Sequence, residues 1–166
     1  MSTADADAIQ IAIEKLQEIN GAITGMRDAP TSYPPSLPTA RLPISIIVPL
    51  AGETNSFGGA YETQRDMEMR FYVSPTGQDA FDNPIQLGYN LLQRVIQTYL
   101  AKITSSTETM TLYSADNDYC IRLRPFSVSA NPIRDTGILS DIVYTDETIN
   151  FFGFNVTVGV TTEWNA

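Results

Sequence analysis

Two hydrophobic periodicities alternate along this chain. From Pro84 to Lys102 (PIQLGYNLLQRVIQTYLAK) apolar residues fall at helical spacing, with Ile85, Tyr89, Leu92, Ile96 and Tyr99 forming one stripe. Asn83 stands at the N-cap, Pro84 at the first helical position and Gln86 three residues after the cap. A side-chain oxygen for orphan amides, a preset φ and a reciprocal cap therefore mark the same start. Another helix is predicted from about Asp5 to Gly21, with Ile9, Ala12, Ile13, Leu16 and Ile19 as its stripe. Ser2 or Thr3 suits its cap, Asp5 and Asp7 suit the positive end of its dipole, and Gly21 and Gly25 are stop signals.

The other period is two. Ile44 to Leu50 (ISIIVPL) reads as a short apolar strand, with Pro49 at its end or on a sheet edge, because proline cannot donate to a ladder. Ala51 to Ala60 (AGETNSFGGA) reads as a flexible loop with one exposed aromatic, Phe57. From about Tyr61 to Ser74, Met67, Met69, Phe71 and Val73 alternate with Glu68, Arg70 and Tyr72, the pattern of a strand with one buried and one wet face. Met110 to Tyr113 and Tyr119 to Val128 flank SADND and read as a hairpin with an Asp/Asn turn. SANPIRDTG reads as a loop, Ile138 to Thr145 as a weaker strand, and the chain closes on a long strand. There Phe152, Phe154, Val156, Val158 and Val160 face one way, with Asn155, Thr157, Gly159 and Thr161 opposite.

Between the first helix and the first strand lies RDAPTSYPPSLPTARLP, from Arg27 to Pro43. Its five prolines rule out a helix and favour an extended arm. Tyr33, Leu37 and Leu42 give the arm something to bury, so an ordered arm laid on a surface, such as a neighbouring subunit's, is favoured over an entirely disordered one. The whole order predicts an α+β fold: one mostly antiparallel sheet with two helices packed on one face, in a single domain spanning 1–166.

Composition narrows the function more than the fold. Acids outnumber bases, 19 Asp and Glu against 10 Lys and Arg, for a net charge of −9. No basic patch suited to free nucleic acid appears, and no base follows Arg134. Histidine is absent, which removes the commonest general base and metal ligand together. The single cysteine, Cys120, has no internal partner for a disulfide. The N-terminus is acidic and lacks an apolar core of the signal-peptide kind, and no apolar run nears the ~20 residues of a membrane span. A cytosolic protein, or one in a particle assembled in the cytosol, is expected, with no membrane partner.

Each candidate for chemistry has a plainer reading beside it. Asp116, Asn117 and Asp118 lack the glycine and distal glutamate of a calcium loop, so a hairpin turn is favoured. Asp79 and Asp82 are a pair of carboxylates without a supporting base, and Asp82 also suits a helix start. Gly58 and Gly59 have no phosphate-loop lysine. Cys120 has no histidine to activate it, although Arg122 and Arg124 share its strand. Those arginines would pair with acids across a subunit boundary or simply be solvated. No catalytic residue, metal site or cofactor is assigned, and the expectation is a protein that is not an enzyme. A small carboxylate-using enzyme or ligand-binding domain is the competing class.

Four features make the chain resemble the tail terminators, the neck proteins that close the tail tube of long-tailed bacteriophages. They are an N-terminal helix (AIQIAIEKLQEI), a proline-marked entry to a first strand (LPISIIVPL), and a long strand followed by a loop and an amphipathic helix (RDMEMRFYV, then NPIQLGYNLLQRVIQTYLAK). The last is a closing antiparallel section ending in FFGFNVTVGVTTEW. The match covers nearly the whole chain, by order and spacing. The resemblance implies an α+β subunit of a homo-hexameric ring in the virion neck. The ring would cap the tube of major tail tube protein and dock to a head-completion or stopper protein. DNA would pass through its bore without specific binding. A different head–tail joining protein, a stopper or adaptor, is the alternative reading. With assembly in view, Phe57, Phe81 and Tyr33 are the candidate contact residues, because exposed aromatics concentrate interface energy. Asp141, Asp146 and Glu147, with no nearby base, are candidate lumen acids.

Overall fold

The structure, a computed structural model, describes residues 3–76, 84–104, 111–113, 118–123, 133–145 and 149–165. The helices are α1 (Thr3–Gly21) and α2 (Pro84–Thr104). The strands are β1 (Ile44–Phe57), β2 (Ala60–Pro75), β3 (Thr111–Tyr113), β4 (Tyr119–Leu123), β5 (Ile133–Asp135), β6 (Leu139–Val143) and β7 (Asn150–Asn165). All seven strands join one sheet, and every strand pair is antiparallel. The α+β class read from the two periodicities is the fold observed.

The closing strand β7 is the spine of the sheet. One of its edges pairs with β2 from Phe151↔Pro75 to Asn165↔Ala60. Its other edge takes β6, β5 and β4 in series, so three short strands share one long partner. β1 lies outside β2, and β3 lies outside β4. Where β7 crosses β2 the backbones come very close: a Cβ on Gly153 would sit 2.0 Å from the Phe71 carbonyl oxygen, so only glycine fits there.

Alternation sorts the two faces. Met67, Met69, Phe71 and Val73 of β2, with Phe154, Val156, Val158 and Val160 of β7, point to the helix side and join Leu16, Ile19, Leu92, Val95 and Tyr99 in one core. Met69, Phe71 and Leu92 are buried there together, with Ile96 packed against them. A satisfied polar network lies inside this apolar layer. The Tyr99 hydroxyl donates to Asn20 Oδ1 (2.7 Å), and Asn20 Nδ2 donates to Ser45 Oγ (3.0 Å). Gln17 Nε2 reaches the carbonyl oxygens of Ser45 and Pro30, both at 2.8 Å. Helix α1 is thus tied to α2, to β1 and to the start of the arm. Burial pushes the Tyr99 hydroxyl well above the usual tyrosine range.

A second, smaller core lies on the opposite face. Ile44, Ile46, Tyr72, Tyr144 and Phe151 cluster with Leu37 and Leu42 of the Pro-rich arm. The arm lies on its own subunit. It starts beside β1 through a parallel bridge between Asp28 and Ile44, and Arg41 forms an ion pair with Asp28. Tyr33 stacks on Tyr144 with ring centroids 5.7 Å apart, and the Tyr144 hydroxyl donates to the Pro34 carbonyl. For this reason Tyr72, which its alternation places on the wet face, is only 1% exposed.

Other details differ from the expectations drawn from sequence. The stretch Ala51 to Phe57 is not a loop but the second half of β1, which pairs with β2 up to Phe57↔Ala60. Its polarity and its glycine read as a loop, but ladder pairing with a neighbouring strand outweighs low strand propensity. Only Gly58 and Gly59 turn, with φ of 51° and 96°, the left-handed pair that a two-residue hairpin of the I′ kind needs. Pro49 lies within β1, not at its end, on the outer edge strand and next to a register shift between Pro49 and Gly52. The buried face of α2 is rotated from the stripe Ile85–Tyr89–Leu92–Ile96–Tyr99. Leu91, Leu92, Val95 and Tyr99 are buried, whereas Ile85 and Tyr89 are 43% and 54% exposed. Tertiary contact selects the face here, because Gly88 lies against Ile138, its would-be Cβ at 3.1 Å. Within SANPIRDTG, Ile133–Asp135 forms β5, a strand too short to leave a pattern and made by pairing with β7.

Candidate interaction surface

Among the described residues the surface features include a polar sheet face, an exposed hairpin and grooves beside α1. Beyond the arm, the face opposite the helices is charged. Cross-strand geometry places Glu62, Asp66, Glu68 and Arg70 of β2 beside Asn155, Thr157 and Glu163 of β7, with Arg122 of β4 and Arg134 of β5 completing the rows. Arg122 pairs with Glu163, Arg134 with Asp66 at 3.3 Å, and Arg70 with Glu68 at 2.7 Å. The acid for Arg122 is thus supplied by its own chain and not across a subunit boundary. Burial alone would lower the Arg122 pKa, yet the bond to Glu163 carries it upward.

The outer half of β1, in the hairpin with β2, is exposed. Residues 51–56, 58 and 59 are all exposed on both sides of the strand, although β1 is hydrogen-bonded to β2 along this stretch. Phe57 is the last residue of β1, beside the turn; its side chain, and the whole of Phe81, lie outside the described residues. Tyr33 is 50% exposed while one face of its ring is stacked on Tyr144. Asp141 is exposed on β6, and Asp146 and Glu147 lie outside the described residues. Of these six candidates, only Tyr33 and Asp141 have described side chains.

Of the weighed chemical candidates, Gly58 and Gly59 form the hairpin turn, and Cys120 is half-buried in β4 beside Glu163. β3 and β4 pair antiparallel; Asp116 and Asn117, expected in a turn between them, lie outside the described residues, as do Asp79, Asp82 and Arg124. Among the described residues no three His, Cys, Asp or Glu side chains converge as metal ligands would.

Sequence reading missed an aromatic row. Tyr61, Trp164 and Tyr119 are directly opposite one another on β2, β7 and β4, with centroid separations of 5.6 Å and 6.0 Å. Register alone aligns them, and register is not visible in three separated segments. Trp164 is 6% exposed, and its Nε1 is buried without a hydrogen-bond partner.

The larger groove, about 420 Å³, runs between the end of α1 and one flank of α2. Ile19, Ala22 and Ile23 form its apolar part, and Arg94, Gln97 and Lys102 its polar part. The signal for it was present as Arg94, Thr98 and Lys102, spaced four apart on one helix flank. The smaller groove, about 340 Å³, lies between α1, the arm and the outer edge of β1.

No protein-family model matches the chain, and no curated protein matches its sequence. Among the described residues no helix is long and apolar enough to cross a membrane.

Proposed function

We propose that this chain is a structural virion protein that forms a ring closing a phage tail tube and joining it to the head-completion complex. The observation that supports this reading best is the order and placement of elements. An N-terminal helix, a proline-marked entry to a first strand, a long strand followed by an amphipathic helix, and a closing antiparallel section follow one another in the order by which the chain resembles the tail terminators. The exposed hairpin fits such a role, because it offers hydrogen-bonded yet uncovered backbone and side chains to a neighbour. The chain acts by assembly and not by catalysis. Its partners are further copies of itself, the major tail tube protein and a head-completion or stopper protein. The second reading, another joining protein such as a stopper or adaptor, uses the same surfaces and differs in what the ring caps.

The bore of the ring is neutral or acidic, since Lys and Arg contacts would hold the phosphates of passing DNA. Net charge of −9 and the base-free stretch after Arg134 support this. Electron microscopy of the purified chain mixed with tail tubes tests the reading: six-fold rings capping tube ends are expected. A stable monomer that leaves tubes uncapped would overturn it. Substituting Phe57 and Phe81 by serine is expected to leave folding intact and to weaken capping. Tight binding of the ring to duplex DNA at physiological salt would refute the account of the bore.

A further inference from the structure

We propose that the groove between α1 and α2 receives the β1–β2 hairpin of a second copy of this chain, with Glu53 of that copy set against Lys102 and Arg94. The inference deepens the ring reading and rests on it for the identity of the neighbour. Its own ground is charge complementarity. Most described bases are already matched to acids: Lys15 to Glu18, Arg41 to Asp28, Arg70 to Glu68, Arg122 to Glu163 and Arg134 to Asp66. Among the described residues Arg27, Arg65, Arg94 and Lys102 are in no such ion pair; Arg27 and Arg65 bond the carbonyls of Ala40 and Leu50, and only Arg94 and Lys102 line this groove. Arg94 donates one bond to the Thr24 carbonyl at 3.1 Å, which leaves most of its fork available. The two lie eight residues apart on α2, about 12 Å along the helix axis, and both line the same groove. A cationic rim over an apolar floor suits a carboxylate carried on a folded segment better than a free anion.

The hairpin has the opposite character. From Ala51 to Gln64 the sequence AGETNSFGGAYETQ contains Glu53 and Glu62 and no base. Glu53 is exposed, and cross-strand pairing (Glu53↔Gln64, Asn55↔Glu62) places both acids on one face of the hairpin. Glu62 already accepts a bond from Gln64 Nε2 at 3.0 Å, so Glu53 is the acid left to pair with a neighbour. Hairpin and groove are different surfaces, so their contact is head-to-tail, the kind that closes into a ring when the rotation fits. A nucleic acid is a poor occupant, since two cations stand against an excess of nine acids over bases.

The test is sedimentation of the full chain over a range of concentrations and salt, with thermal melts to verify folding. Wild-type protein is compared with E53K, K102E and the charge-swapped E53K/K102E; Arg94 is left in place because it holds the end of α1. Each single reversal is expected to weaken self-association about tenfold or more, equivalent to about 1.4 kcal/mol, with unchanged melting. The double reversal is expected to restore association, and added salt to weaken wild type. Rings that form equally well in both single variants would overturn the groove proposal and leave the ring reading standing. Weakening without rescue in the double variant would remove the hairpin as the occupant. Single variants that self-associate normally but fail to bind tail tubes would assign the groove to another partner. A wild-type chain that stays monomeric at every concentration would overturn both readings.

Discussion

Phe71 and Tyr72 are neighbours in β2, and each is almost fully buried, at 0% and 1% exposure. Their surroundings differ. Phe71 enters the core sealed by two helices and stacks on Phe154 at 4.7 Å. Tyr72 enters the smaller cluster on the opposite face, edge-on to Tyr144 and Phe151, beneath the Pro-rich arm. Further along the same strand that opposite face is charged and half-buried, at Glu68, Asp66 and Glu62. A strand's alternation divides its residues into two sets, but what lies over each set decides which is dry.

The comparison is broken most sharply by substitution within the helix-side core. Phe71→Ala is expected to cost about 3–5 kcal/mol in urea unfolding, because the packed helices cannot collapse into the space. Tyr72→Ala is expected to cost less, about 2 kcal/mol, and to raise protease sensitivity across residues 27–43, since the arm can shift. Equal costs with no change in proteolysis would mean that the arm seals its face as firmly as the helices do. Leu92→Ala is expected to cost about 2–5 kcal/mol, and a change under about 0.5 would place Leu92 outside the core.

The buried network sharpens the contrast at a smaller scale. Tyr99→Phe leaves Asn20 Oδ1 without its 2.7 Å donor and is expected to cost about 1–3 kcal/mol. Burial raises the pKa of Tyr99 in the folded state, and that of Tyr72 as well. The sign is therefore one of stability fully present below the unfolded tyrosine pKa of about 10 and lost as pH climbs above it. The urea midpoint of the wild type is expected to fall from about pH 10 upward, and less steeply in Tyr99→Phe. Parallel slopes for the two proteins would refute this assignment. The smallest effect belongs to the charged face: Arg122→Ala is expected to change stability by under about 1 kcal/mol and to lose that difference in high salt. A cost near that of Phe71→Ala would contradict the picture of a solvated surface pair.

The α+β class, both helices and the long strands were legible because amphipathic periods and helix starts are local properties of a segment. Less of the candidate surface was legible. Phe57 and Tyr33 could be singled out as aromatic residues in polar or Pro-rich surroundings. The row of Tyr61, Trp164 and Tyr119 could not, because it exists only through the register of three strands. The groove at Arg94 and Lys102 likewise needs the end of α1 beside α2.

By itself, then, the sequence determined where helices start, which segments alternate, and that no histidine or internal disulfide takes part. Only the tertiary structure decided that Ala51 to Phe57 pairs as strand, that three short strands share β7, and that the arm covers its own sheet. It also decided that α2 buries Leu91 and Val95 in place of Ile85 and Tyr89. The physical reason is common to all four. Local periodicity fixes the directions in which side chains point, whereas burial and strand pairing depend on partners distant in the chain, and those partners meet only when the whole sheet has formed.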